Sequence, residues 1–335
     1  MTGNAHHPHH AHHAHHSRAT IVAAFAAVYL LWGSTYLFIK YAVAFIPPLG
    51  MAGARFLLAG LILYAYGRLR GAEPPRGIHW RSAAIVGVML MTSNAGVAWS
   101  ERLIPSGVAS LLVAVTPCWM VLFEWLAHRE RRPHVGVLAG LVLGLVGLGI
   151  LVGLGNLVGG GGRASGGVNL GGAAAIIGGT AVWAAGSLYA RTAPRPASPQ
   201  LLSGMQMICG GAILSVVSAL TGQWDGWVWR ETPAIAWWSF LYLLTFGSLI
   251  AFSAYMYLLT VSTPARVSTY AYVNPVVAVL LGWAFAGETL TLRMLIASAI
   301  IVGAVALIVS FGASGPPARA TLKTDEFPVA ATDAG

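Results

Sequence analysis

The side chains in this sequence with chemistry to offer are spaced for binding. Trp32 and Tyr36 are four residues apart and share one face of a helix, with Ser34 and Thr35 beside them. Trp183 and Ser187 repeat that spacing, Tyr270 and Asn274 lie one turn apart, and Asn94 and Glu101, seven apart, also share a face. Bond-breaking chemistry would need a nucleophile beside a base, a metal pair or an H-E-x-x-H helix, and none is legible. A primary pump would need a G-x-x-x-x-G-K-[ST] phosphate loop, which is absent from the sequence. No cofactor is implied.

The remaining candidates are charges and prolines. Arg55 lies about 9 Å inside an apolar run at helical rise, shallow enough to snorkel to the headgroups. The sharper reading makes it a fixed positive charge near a cavity mouth, paired with Glu101. Glu124 is expected to pair with Arg129 and Arg131. Pro117 and Pro275 each stand inside an apolar run, where a proline removes one backbone bond and frees the carbonyl four residues before it, which suits a hinge. Cys118 and Cys209 read as packing.

Composition decides the solvent around these residues. The chain has 335 residues, 57% hydrophobic and only 9% charged, where soluble domains carry about 25% charged residues. So few charges would leave the surface of a soluble two-domain protein uncovered. A bilayer core about 30 Å thick needs roughly 20 apolar residues per helix. Such runs stand at 20–39, 49–66, 80–99, 106–127, 134–154, 168–190, 199–220, 235–258, 264–286 and 292–312. Most proline clusters fall between them. The runs are too long, and alternate too little, for transmembrane strands. The fold class expected is therefore an all-α membrane protein with ten transmembrane helices.

The net charge of +9 sits in short clusters between the runs, which argues against nucleic acid as a partner and for orientation signals. With residue 1 inside, 13 basic residues face the cytoplasm, including Arg68, Arg70, Arg76 and Arg81, against 5 outside, among them Lys40, Arg102 and Arg293. Both termini are expected to be cytoplasmic and the first run to be an uncleaved span. The tract His6 to His16 reads as a low-complexity tail, with weak metal binding as the sharper alternative. Metal transport would need facing ligands in the spans, which they lack.

An internal repeat sets the organisation. A shift of 151 puts Trp32 on Trp183, Lys40 on Arg191, Arg55 on Gln206 and Gly60 on Gly211; a shift of 158 puts Ser110 on Ser268, Pro117 on Pro275 and Glu130 on Glu288. A unit of five spans is odd, so the second copy enters the membrane from the opposite side and the two halves are inverted. The expected division is a tail at 1–19, a first five-helix repeat at 20–154, a Gly-rich outer loop at 155–167, a second repeat at 168–312 and a tail at 313–335.

The runs "LWGSTYLFIKYA" from Leu30, "GARFLLAGLIL" from Gly53, "AWSERLIPSGVASLLVAVTPCW" from Ala98 and "NPVVAVLLGWAFAGETLT" from Asn274 resemble EamA-type carriers of the drug/metabolite transporter superfamily, of the YedA-like bacterial exporter kind. The resemblance covers Thr20 to Phe311 and is weak for substrate. It implies a central cavity between the halves, for which Trp32, Tyr36, Asn94, Trp99, Trp183, Ser187, Tyr270 and Asn274 are the candidates. The plain alternative for each is helix-to-helix packing, and for Trp99 the interfacial belt.

The function expected is secondary transport, by alternating access, of small organic solutes across the plasma membrane. A receptor or assembly subunit without flux is the alternative, and an intramembrane enzyme a more distant one. Few carboxylates lie deep in the spans, which favours facilitated export or exchange over proton antiport. The aromatic groups suit a ring-bearing solute, and the scarcity of buried charge argues against strongly charged ones. The sequence leaves oligomeric state open.

Overall fold

The computed structural model describes residues 18–127, 134–152, 168–262 and 270–312, and among them every regular element is helical. The tract His6 to His16, Glu130 and Ser268 lie outside the described residues. Helix α1 (Arg18–Val43) is followed by α2 (Pro48–Leu69), α3 (Gly77–Ser100), α4 (Ser106–Ala127) and α5 (Val135–Val152). After the Gly-rich segment come α6 (Leu170–Thr192) and α7 (Pro199–Leu220). Helix α8 follows in three continuous parts (Ala234–Tyr242, Leu243–Ile250 and Ala251–Val261), then α9 (Tyr270–Phe285) and α10 (Leu292–Gly312). Seven stretches, in α1 to α4 and α6 to α8, are long and apolar enough to cross a membrane; Val135–Leu151, Val273–Phe285 and Leu292–Ile308 are shorter apolar helices.

Helix ends follow local chemistry. Helices α2 and α7 each begin on a proline, whose missing N–H costs nothing in a first turn. Ser198 Oγ and Asn169 Oδ1 accept from Leu201 N and Gly172 N at the starts of α7 and α6. Helix α2 stops at Gly71 (φ 82°) and α7 at Gly222 (φ 64°), where the backbone takes the left-handed turn that favours glycine. The two stops share one bonding pattern, with Ala72 N on Gly67 O at 3.1 Å and Gln223 N on Ser218 O at 3.1 Å.

Two helix pairs approach closely at glycines. A Cβ at Gly60 would lie 2.8 Å from Gly204 O, one at Gly204 2.9 Å from Gly60 O, and one at Gly211 2.9 Å from Gly53 O. Contacts run from Gly53 against Ser215 to Gly67 against Leu201, so α2 and α7 are antiparallel. Lipid offers no hydrophobic drive between helices, so close approach at small residues supplies the dispersion energy that holds them. Helix α5 packs antiparallel on α10 with side chains of α10 seated on its glycines, from Phe311 at Gly136 to Ile301 at Gly147.

Helices α1, α4 and α8 are irregular. Val28–Trp32 and Leu243–Ile250 are wound as π-helix, a form that recurs at functional sites. In α4 the α-helix breaks at Ala114 and Val115 and resumes at Thr116. Pro117 thus stands in the first turn of a restarted helix. The carbonyl it would clash with, Val113 O, accepts instead from Thr116 Oγ1 at 2.6 Å. Pro275 differs: it is carried inside continuous α9.

Candidate functional site

The two π segments meet at one tryptophan. Trp32, the last residue of the first, donates from Nε1 to Gly247 O in the second at 3.1 Å. The wider π turns alter which carbonyls the helix itself uses, and Gly247 O is taken by a side chain from another helix. Around the indole stand Tyr255 (ring centroids 5.0 Å), Tyr270 (5.2 Å, edge-on) and Phe252 (6.4 Å). A neighbouring cluster joins Ser34 Oγ to Tyr242 Oη at 2.7 Å and stacks Phe38 on Tyr242 at 3.8 Å.

Asn274 is 6% exposed, and its amide nitrogen donates to Tyr270 O at 3.2 Å and Tyr29 O at 3.1 Å, tying α9 to α1. Trp183 packs on the central apolar cluster that includes Phe56, Leu90, Leu244 and Phe252, as does Trp32. Tyr36 is buried in a different cluster with Val97, Ile104 and Ala278. Ser187 is half-buried. Trp99 is 38% exposed and lines a cavity of about 300 Å³ with Phe45, Pro47, Arg102, Gln223 and Trp227, at the end of the bundle where α3 finishes. The structure thus brings Trp32 against Tyr270, Tyr270 against Asn274, and Trp32 and Trp183 onto one apolar cluster; Tyr36 packs in another cluster with its hydroxyl within electrostatic reach of Tyr270, and Trp99 stands at the end of the bundle.

Arg55 does not snorkel. It is 4% exposed, donates from Nη2 to Asn94 Oδ1 at 2.7 Å and lays its guanidinium 4.1 Å from the centroid of Phe56. The structure does not bring Arg55 and Glu101 together. Glu101 is 2% exposed, both its oxygens lack a hydrogen-bond partner, and the charges it feels are Lys40 and Glu288. Burial pushes its carboxyl well above the ordinary range, with Lys40 offsetting part of the rise. Glu124 pairs with Arg191 at 3.3 Å, both groups exposed; Arg129 and Arg131 lie outside the described residues.

Glu288, in the turn between α9 and α10, ties four elements. Its Oε1 accepts from Ser106 N (2.6 Å) and Ser106 Oγ (2.8 Å) and lies 3.2 Å from Lys40 Nζ, while its Oε2 accepts from Gly107 N at 3.1 Å. It therefore caps the N-terminus of α4 and holds the end of α1. Burial by itself would raise its pKa; the N–H groups of Gly107 and Ser106, the Ser106 hydroxyl and Lys40 outweigh that and hold it below the ordinary 4.5. Beside this knot Tyr41 Oη donates to Phe285 O at 2.5 Å and Trp227 Nε1 to Phe45 O at 2.9 Å.

Long apolar helices packed against one another at glycines define the chain as an integral membrane protein. The chain belongs to the EamA-like transporter family, which matches it over residues 19–153 and again over 170–310. It is 37% identical over 293 residues to the uncharacterized inner membrane transporter YedA of Escherichia coli strain K12, covering 86% of this chain and 90% of that one. The uncharacterized transporter YvbV of Bacillus subtilis is 24% identical (87% and 91% covered) and protein PecM of Dickeya dadantii 26% (83% and 88%). A solved crystal structure shares the fold, with TM-score 0.59 at 22% identity, covering 87% of this chain and 96% of that one.

Sequence reasoning passed over Tyr242, Phe252, Tyr255 and the Ser106 cap. Isolated aromatics in an apolar run carry no signal of their own. Glu288 did carry one, since the shift of 158 sets it on Glu130, a loop carboxylate with no evident reason to recur.

Proposed function

We propose that the protein is a secondary transporter that exports small organic solutes across the plasma membrane by alternating access, with ten spans, two inverted five-helix halves and both termini cytoplasmic. The solute site is formed by Trp32, Trp183, Tyr270 and Asn274, with Ser187 and Asn94 at its edge and Tyr36 and Trp99 on the path to it.

The observation that carries this reading is the α2–α7 contact. The shift of 151 maps Gly53 on Gly204 and Gly60 on Gly211. In space Gly60 meets Gly204 and Gly53 meets Gly211. Residue i of one copy against residue j of the other, and j against i, is the pattern of a two-fold axis, and the antiparallel course places that axis across the helices. Two inverted copies of one unit exchange conformations, so a path opens alternately to each side about a fixed centre. Lys40, Glu288, Ser106 and Tyr41 close one end, which the charge distribution makes the outer one.

The test is flux through a protein locked at that end. In a background lacking Cys118 and Cys209, cysteines at Tyr41 and Phe285 are joined by a reducible linker, and solute efflux is measured in vesicles. Locking should abolish flux and reduction restore it. Undiminished flux through the locked protein would refute alternating access.

A further inference from the structure

We infer that the solute is an organic monoanion whose charged group is bound by Arg55 and Asn94. This rests on the proposed transport site and names the chemistry that site selects.

A guanidinium stripped of water is costly unless an anion faces it. Arg55 is 4% exposed, and no carboxylate among the described residues lies within ion-pair distance. Its hydrogen bond to the described residues goes to Asn94, a neutral acceptor, and its Nε–H is buried with no partner. Glu101, the carboxylate the sequence offered as its partner, interacts with Lys40 and Glu288 instead. The described residues therefore keep a positive charge in the interior without supplying its counter-charge.

The position of that charge says what supplies it. Arg55 lies on Phe56. Phe56 belongs to the apolar cluster on which Trp32 and Trp183 pack. Ala52 and Ala59, on the same face of α2 as Arg55, are members too. An apolar or ring-bearing body against these aromatics would place its charged end at the guanidinium. The Arg55–Asn94 bond uses Asn94 Oδ1 and leaves the amide N–H groups to donate to the same anion.

Among the described residues Arg55 is the buried cation. The shift of 151 puts neutral Gln206 at the place of Arg55 in the second half. A solute with one negative charge is balanced and one with two is not. A monoanion moved without a co-ion also has a driving force, because an inside-negative membrane expels it with an equilibrium ratio of about 50-fold per 100 mV. Export would then need no buried proton carrier.

The probes are phenylmethanesulfonate, anionic at all accessible pH values, and phenylmethanesulfonamide, its neutral isostere, titrated by calorimetry into the full chain in nanodiscs. The sulfonate should bind the native protein about tenfold tighter or better. Arg55→Gln should weaken the sulfonate about thirty-fold and leave the sulfonamide within about twofold, a result that also shows the variant is folded. Arg55→Lys should fall between, since an ammonium keeps the charge and loses the planar fork. Equal affinity for both probes, or equal losses in Arg55→Gln, would overturn the monoanion. If both probes then still depend on Trp32, tested as Trp32→Ala, the transport site survives without the charge selectivity. No binding of either probe would refute a ring-bearing monoanion, while the locked-flux measurement would still report on alternating access.

Discussion

At the scale of single residues, charge placement sorts structural from functional groups. Arg55 and Glu101 are both buried and belong to different networks. Reversing both charges should therefore restore no more transport than the worse single reversal, as efflux assays of Arg55→Glu, Glu101→Arg and the double variant will show. Glu288 behaves oppositely, because it is bonded. Its folded pKa is depressed, so its contribution is fully present above the ordinary 4.5 and is lost as pH falls through the lower folded value. Thermal stability of the native protein should decline on that acid limb, and Glu288→Gln should flatten it. Glu288→Gln should also weaken the closed end by about 2 kcal/mol, shifting closed to open about thirty-fold, read as faster labelling of a cysteine placed at buried Ser110, one turn further along α4. Trp32→Ala removes one hydrogen bond and three ring contacts. It should weaken solute binding about tenfold while leaving insertion intact.

At the scale of helices, glycines and π turns do the positioning. Gly60→Leu forces a side chain against Ile208 N and Gly204 O and should cost about 3 kcal/mol, seen as a lower melting temperature in detergent. Gly303, with open space about it, should tolerate alanine in the same assay. Seven of the ten expected spans were legible because a run of some 20 apolar residues bounded by proline has one physical solution in a bilayer, while the other three runs form shorter apolar helices among the described residues. The α2–α7 match was legible from Gly60 and Gly211, and the same shift also pairs Pro48 with Pro199 and Gly71 with Gly222, the signals that start and stop both helices. The π segments were not legible, since VYLLW and LLTFGSLI have ordinary helical composition. Their winding is a tertiary effect that brings Trp32 to Gly247. The burial of Arg55 was hidden for a similar reason: depth along a helix is readable from sequence, whereas facing a neighbour or lipid depends on Asn94 and Phe56.

For the whole molecule the first test is orientation. With both termini inside, a cysteine at Glu73 should resist an impermeant maleimide added to intact cells and one at Arg230 should react; the reverse pattern would invert the topology. A further consequence follows from the tryptophan loop after α7, where Trp224 and Trp227 pack edge to face and Trp227 holds Phe45. Gly50, at the start of α2, also has Trp224 against it. A transporter made of two identical halves would be indifferent between its two faces, its resting populations equal by symmetry. Whatever one half has and the other lacks is thus a thermodynamic thumb on the scale. Under the proposed repeat the loop between α2 and α3 is the counterpart of this segment, and it has no tryptophan from Leu69 to Arg76. A preference of about 1.4 kcal/mol already makes one face tenfold commoner than the other. The tryptophans would then act as a built-in clock setting, fixing where in its cycle the empty protein waits.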